Sequence, residues 1–313
     1  MQSLEFYQMH LDRVSRSFAF CIVKLDPPFR QWISLSYLLC RVLDTVEDSP
    51  WEDGNLRDKQ FKEFEGYLNS LPSQAVVSKW QARFPSAIRD SERSLLENTY
   101  FLIQDLHGLP EQVQLEIRTT VLRMSGGMQY YCSQQNSAQE LYLTGLADVN
   151  RYCYFVAGTV GELLTRIFIC FRPSFKPSLE MLKNSVHFGL FLQKINLLKD
   201  QRQDEQEGRY LVPSRDLLIT SLTENARGAL LYLTELPVDE KSYRTFCAWS
   251  LFLGLASLPW IQKSFSQGEE IKISRSATQS LLLEVEKIVQ DNRLLLQYGE
   301  RYLQVIPQEL RLD

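Results

Sequence analysis

Glycine and proline are scarce, at 14 and 12 of 313 residues, which excludes collagenous and low-complexity chains. No sign of charge dominates either: 34 Lys and Arg stand against 38 Asp and Glu, a net charge of −4. The broad basic face that non-specific nucleic-acid binding needs is missing, so no nucleic acid is expected as a partner. The three histidines (His10, His107 and His187) are far apart and none forms His-x-x-x-His, so zinc is not expected. No Cys-x-x-Cys occurs among Cys21, Cys40, Cys132, Cys153, Cys170 and Cys247. They sit mostly inside apolar runs and read as reduced, buried thiols. Glu5, His10 and Asp12 interrupt the N-terminus, unlike a secretory signal. The longest apolar stretches, such as Phe246–Trp260, fall short of the roughly 20 residues that span a bilayer. The expectation is a cytoplasmic chain without a transmembrane anchor, at most peripheral to a membrane.

The chain does have enough apolar side chain for a large core, with 44% hydrophobic and 12% aromatic residues. Prolines punctuate it at Pro27-Pro28, Pro50, Pro72, Pro85, Pro110, Pro173, Pro177, Pro213, Pro237 and Pro307. Between them the apolar period is helical: Leu35, Leu38, Leu39, Val42 and Val46 form one stripe, and Leu281, Leu282, Val285, Ile288 and Val289 another. Strand alternation is absent apart from Ile271-Lys272-Ile273, and no fixed-period repeat or Gly/Ser-rich linker occurs. These features predict one all-α domain over residues 1–313, built of about ten helices.

Two helices carry carboxylates beside apolar residues. Over Trp32–Asp48, Tyr37, Arg41, Asp44 and Asp48 share one face at offsets of 0, 4, 7 and 11, with Glu47 adjacent. Over His187–Asp204, Gln193, Asn196, Asp200 and Asp204 repeat the pattern among Leu190, Phe191, Ile195, Leu197 and Leu198. Carboxylates four apart repel by about 0.2–0.5 kcal/mol when exposed, and burial costs far more unless a cation neutralises them. The bland alternative is a pair of solvated acidic faces on a helical scaffold. The paired stripes, with Arg41, Lys199, Arg202 and Arg209 close by in sequence, instead predict an oxygen-ligand Mg²⁺–diphosphate site between facing helices.

At these residues the sequence resembles the squalene and phytoene synthase family. Tyr37-Leu-Leu-Cys-Arg41-Val-Leu-Asp44-Thr-Val-Glu47-Asp48 is similar to its first Asp-rich motif. The stretch from Gly189 through Gln193, Asn196, Asp200 and Asp204 to Arg209 is similar to the second. Ser15-Arg16-Ser17-Phe18 resembles the family's N-terminal Ser-Arg-Ser-Phe signature, and Tyr152-Cys-Tyr-Phe-Val-Ala157-Gly158-Thr-Val-Gly161 its Tyr-Cys-x-Tyr-Val-Ala-Gly block. The four motifs stand in the family's order. Asp-Thr-x-Glu-Asp, Gly-Leu-Phe-Leu-Gln-Lys and Phe246-Cys-Ala lean to the squalene-forming branch, and the Tyr152–Gly161 block to the phytoene-forming one.

The resemblance implies a class I isoprenoid synthase bundle around a central hydrophobic channel, joining two prenyl diphosphates head to head. In the squalene-forming branch both are farnesyl diphosphate, and presqualene diphosphate is reduced to squalene with NADPH. Carried over by motif, Asp44, Glu47, Asp48, Asp200 and Asp204 would hold Mg²⁺, three ions per site. Arg41, Arg16, Arg209 and Lys199 would bind diphosphate, with Lys199 where relatives often carry the bidentate Arg. Ser15, Ser17, Phe18, Gln193, Asn196 and Phe246 would contact substrate, and Tyr37 and Tyr152 would orient diphosphate and assist proton removal. At tyrosine's ordinary pKa near 10, pyrophosphate is an equally good base. Glycines inside a helix cost about 1 kcal/mol each, so Gly158 and Gly161 beside Ala157 imply a close neighbour, either a prenyl chain or another helix. No Gly-x-Gly-x-x-Gly supports NADPH, which rests on Asn196 and on Lys272-Ile-Ser-Arg275, where Ser274 replaces a cation of the family's basic stretch. Without that cofactor the product would be a dehydrosqualene, hydroxysqualene or phytoene type. A monomer, with peripheral membrane contact for product release, is expected.

Overall fold

Apolar residues recurring every three or four positions fold nearly all of the chain into helices, in a computed structural model that describes residues 1–15, 17–268 and 273–309 (the side chains of Ser17 and 305–309 apart). The helices gather into two compact units, 1–133 with 166–175, and 134–165 with 176–313. The first contains α1 (Leu4–Val14), α2 (Ser17–Ile22), α3 (Phe29–Asp48), α4 (Gly54–Asn69), α5 (Gln74–Gln81), α6 (Asp90–Glu97), α7 (Thr99–His107) and α8 (Glu111–Ser133). Then follow β1 (Leu141–Tyr142), α9 (Leu146–Cys153), a π-helical turn (Tyr154–Gly158) and α10 (Thr159–Phe171), whose last residues belong to the first unit. The second unit continues with α11 (Leu179–Gln206), β2 (Arg209–Tyr210), α12 (Arg215–Glu235), α13 (Lys241–Gln267), α14 (Arg275–Ile288) and α15 (Asn292–Glu309).

The described residues thus hold fifteen α-helices where proline punctuation predicts about ten. The extra breaks carry no proline: α6 and α7 part at Asn98, and the π-helical turn divides α9 from α10. Conversely α15 runs through Pro307 to Glu309. The doubtful strand at 271–273 falls mostly outside the described residues. Two strands of two residues do form, β1 pairing in parallel with β2, too short to leave any alternation in the sequence.

In the first unit the predicted stripe of α3 is the core: Leu35, Leu38, Leu39, Val42 and Val46 are fully buried, each worth about 1.5–3 kcal/mol. The helix stops where Ser49 returns its N–H to the Thr45 carbonyl and Pro50 follows. In the second unit α11 packs along α12, and the buried Arg244 ties helix ends together, donating to the carbonyls of Leu233, Leu236 and Val289. Gly161 and Gly189 let two helices meet backbone to backbone: a Cβ on Gly161 would lie 1.9 Å from the Ser185 carbonyl oxygen, and one on Gly189 2.1 Å from that of Ala157.

Two helical stretches, Leu146–Phe171 and Lys241–Gln267, are long and apolar enough to cross a membrane by length and composition. The expectation drawn from Phe246–Trp260 is corrected here, because the helix continues through polar flanks to 27 residues. In Lys241–Gln267 61% of the most apolar window is buried inside the protein, as in a core helix.

Candidate active site

The first acidic stripe stands on the polar flank of α3, opposite its buried leucines. Arg41 Nη1 donates to Asp44 Oδ2 at 2.6 Å, and Nη2 reaches Glu92 Oε1 of α6 at 3.5 Å. The Arg41 Nε is buried and has no hydrogen-bond partner. Burial alone would lower the guanidinium's pKa, but Asp44, Tyr37, Asp48 and Glu92 together raise it, so Arg41 is a fixed cation. Glu92 also pairs with Arg89, which precedes α6. Asp44 and Glu47 are half-buried and Asp48 is exposed.

Tyr37, one turn before Arg41, stacks on Phe18 with ring centroids 5.2 Å apart. Burial, opposed by Arg41 and by a hydrogen bond with Ser15, pushes its hydroxyl above the usual tyrosine range. The first unit therefore brings together Ser15, Phe18, Tyr37, Arg41 and Asp44. Arg16 and the Ser17 side chain lie outside the described residues.

The second stripe lies on α11. Asn196 and Lys199 are exposed, and Gln193, Asp200 and Asp204 half-buried. Lys199 Nζ is 3.2 Å from Asp200 Oδ1. Arg209 Nε is 4.0 Å from Asp204 Oδ1, and its Nη2 donates to the Tyr152 hydroxyl at 2.7 Å. Local structure holds Arg209 in place: Gly208 turns at φ +77°, Leu141 N–H bonds the Gly208 carbonyl, Leu143 N–H bonds that of Tyr210, and the Tyr142 and Tyr210 rings stack at 4.3 Å.

Gly158 and Gly161 have α11 as their close neighbour, through Val186 and the Ser185 backbone, which accounts for both glycines without a prenyl chain. Phe246 is fully buried and stacks on Tyr243 at 6.2 Å, and Phe191 is buried against Gly254. Lys272 lies outside the described residues. Arg275 is exposed in the first turn of α14, and Ser274 caps that helix by accepting from the Ala277 N–H at 3.2 Å.

Sequence reading missed Glu92, whose only signal is its i,i+3 spacing from Arg89, and Lys194, a charge set into the apolar row Phe191, Ile195 and Leu198. No group of three His, Cys, Asp or Glu side chains converges on a metal position among the described residues. All-protein cages are not what Mg²⁺ demands: it keeps several waters and takes one or two carboxylates plus phosphate oxygens. Half-buried carboxylates beside fixed guanidinium groups, one with an unused buried N–H, fit that chemistry. Of the residues expected to bind NADPH, Asn196 is exposed on α11 and Arg275 on α14.

The squalene/phytoene synthase family profile matches residues 11–236. Squalene synthase of Schizosaccharomyces pombe is 30% identical over 282 residues, 80% of this chain and 58% of that protein. That of Saccharomyces cerevisiae is 30% identical over 319 residues, 90% of this chain and 68% of that protein. The chain thus spans roughly half to three quarters of the length of the curated relatives it matches. Among solved structures, a complex of TcSQS with the ligand E5700 superposes with a TM-score of 0.73 at 23% identity, covering 98% of this chain and 96% of that one. A dehydrosqualene synthase complex gives 0.58 at 18% identity, covering 91% of this chain and 96% of that one. At those identities the two structures establish the all-α fold.

Proposed function

The chain belongs to the squalene/phytoene synthase family, and on that premise we propose that it is a Mg²⁺-dependent prenyltransferase joining two farnesyl diphosphates head to head through presqualene diphosphate. The observation that carries this reading is the pairing of carboxylate with guanidinium beside each acidic helix, Arg41 with Asp44 and Arg209 with Asp204. Mg²⁺, when bound, neutralises charge growing on the departing pyrophosphate. Asp44, Glu47, Asp48, Asp200 and Asp204 hold it in this proposal.

Arg41 and Arg209 bind diphosphate oxygens through their forks, and Lys199 adds a point charge. Arg41 suits this task because its charge is fixed and its Nε is unspent. Tyr37 stays protonated well above neutral pH, which makes it a donor that orients diphosphate rather than a base. The proton lost on ring closure then goes to pyrophosphate. Tyr152, held by Arg209, fixes that guanidinium's direction.

Reduction to squalene with NADPH belongs to the proposal through the motif resemblance to the squalene-forming branch, and no step here is assigned to that cofactor. Release of an unreduced C30 product is the second reading, favoured by one observation: Ser274 serves as the cap of α14 where the family's basic stretch has a cation. Incubation with farnesyl diphosphate and Mg²⁺, with and without NADPH, followed by mass spectrometry of the extract, decides. Squalene formed only with NADPH supports the first reading, and an unreduced C30 product in both arms the second. A C40 product from geranylgeranyl diphosphate with no turnover of C15 substrate would sink both. A monomer working from the cytoplasm, with peripheral membrane contact for product release, completes the proposal.

A further inference from the structure

The second unit contains a buried lysine whose hydrogen-bond partners are all neutral. Lys194 is fully buried in α11, and its Nζ donates at 2.6 Å to Ser221 Oγ and at 2.6 Å to Asn225 Oδ1, both on α12. No carboxylate lies within ion-pair distance of it among the described residues. Burial pushes its pKa down to about 8. Glu224 acts on the charge from beyond ion-pair distance but offsets only part of the burial, so an apolar chain of equal volume would suit the position better.

The network around this ammonium leads back to the site. Ser221 Oγ is 3.5 Å from Asn150 Oδ1 of α9, and the Cys153 thiol is close enough for the ammonium to pull its pKa down against the larger effect of burial. Asn225 also bonds His187 Nδ1 at 2.8 Å, which returns the network to α11. Asn150 and Cys153 flank Tyr152, and directly after Cys153 the helix switches to π pitch. Tyr152 thus stands, buried, at the end of α9 where the helical phase changes, a position at which a single polar tie can set its direction. The ammonium reaches α9 through one relay, Lys194 Nζ to Ser221 Oγ and Ser221 Oγ to Asn150 Oδ1, two residues before Tyr152.

We infer that Lys194 is a positioning residue for the reaction proposed above, steadying α9 through Ser221 and Asn150 so that the Tyr152 hydroxyl meets Arg209. The inference rests on that functional reading. Lys194→Met removes the charge and keeps the length of the chain. It is expected to keep or raise Tm, to lower kcat with farnesyl diphosphate at least tenfold, and to change KM less than threefold. In a Tyr152→Phe background the same change costs less than twofold, because both substitutions disable one device.

Wild-type kcat in Lys194→Met, or full additivity with Tyr152→Phe, overturns the inference. Ser221→Ala, which leaves the ammonium but cuts the bridge to Asn150, gives the same direction of change and replaces Lys194→Met if that variant does not fold. A crystal structure of either variant should show the 2.7 Å contact between Tyr152 and Arg209 broken, and an unchanged contact overturns the inference too. That arm needs no turnover. If the wild-type protein converts no prenyl diphosphate the functional reading fails, while the crystals still decide what Lys194 does.

Discussion

The acidic helices of the two units carry carboxylates at nearly the same spacing and settle their charge differently. On α3 the answer is local: Arg41 bonds Asp44 three residues on, and Glu92 braces the guanidinium from α6. Those side chains are 10–22% exposed. On α11 the pair Lys199–Asp200 is nearly half exposed and contributes roughly 0–1 kcal/mol. Asp204 depends on Arg209, delivered from a two-residue strand rather than from the same helix. One stripe is preassembled by its own helix. The other draws its guanidinium from a separate strand through tertiary structure.

Gly161→Ala should break the comparison most visibly. The new Cβ meets the Ser185 backbone, so Tm is expected to fall by roughly 6–12 °C, and amide exchange should speed up in α10 and α11 while α3 stays protected. Exchange rising equally in α3 would deny the two stripes separate support.

Next come paired Arg→Lys changes, read by steady-state kinetics and thermal melts. Both Arg41→Lys and Arg209→Lys lose a fork and should cost about tenfold to hundredfold in kcat. Arg41→Lys should lose more stability than Arg209→Lys, by about 1 kcal/mol, because it weakens a pair with Asp44 and a contact with the nearly buried Glu92, which then keeps only Arg89. Equal melting curves for the two variants would contradict that asymmetry. Glu92→Gln is smaller, about threefold to tenfold in kcat/KM with little change in Tm, since it loosens Arg41 without emptying its place. Wild-type kinetics there would remove Glu92 from the site.

The smallest effect is a pH dependence confined to the second unit. Lys194 has a pKa of about 8 in the fold against 10.5 ordinarily, so the unfolded chain binds more protons between those values. Its contribution to stability therefore rises with pH across that window and is flat below it. The difference between wild type and Lys194→Met, followed by denaturant melts, should grow in the wild type's favour from pH 8 to 10. A pH-independent difference would place that proton elsewhere.

Much of this was legible in the sequence because helical period and motif spacing are local properties. The α3 stripe, the buried Leu35–Val46 row and the second motif on α11 all follow from offsets of three and four. Arg41–Asp44 is an i,i+3 pair and could be read directly. The bonds of Arg209 to Tyr152 and of Lys194 to Ser221 could not, because they join residues 57 and 27 positions apart and have no periodic signature. Glycine spacing announced a close neighbour but not its identity, since a prenyl chain and a helix backbone both demand a missing Cβ. The π-helical turn over Tyr154–Gly158 has no sequence signature either, since poor helix formers there fit a break or an ordinary helix as well as a change of pitch.

Pyrophosphate release from farnesyl diphosphate, followed as a function of Mg²⁺ in the wild-type protein, Asp44→Asn and Asp200→Asn, tests the metal-holding role proposed for each acidic helix most directly. Release should require Mg²⁺ and fall at least a hundredfold in each variant, with Tm of the half-exposed Asp200→Asn within about 2 °C of wild type. Metal-independent release, or wild-type rates in either variant, would contradict the account.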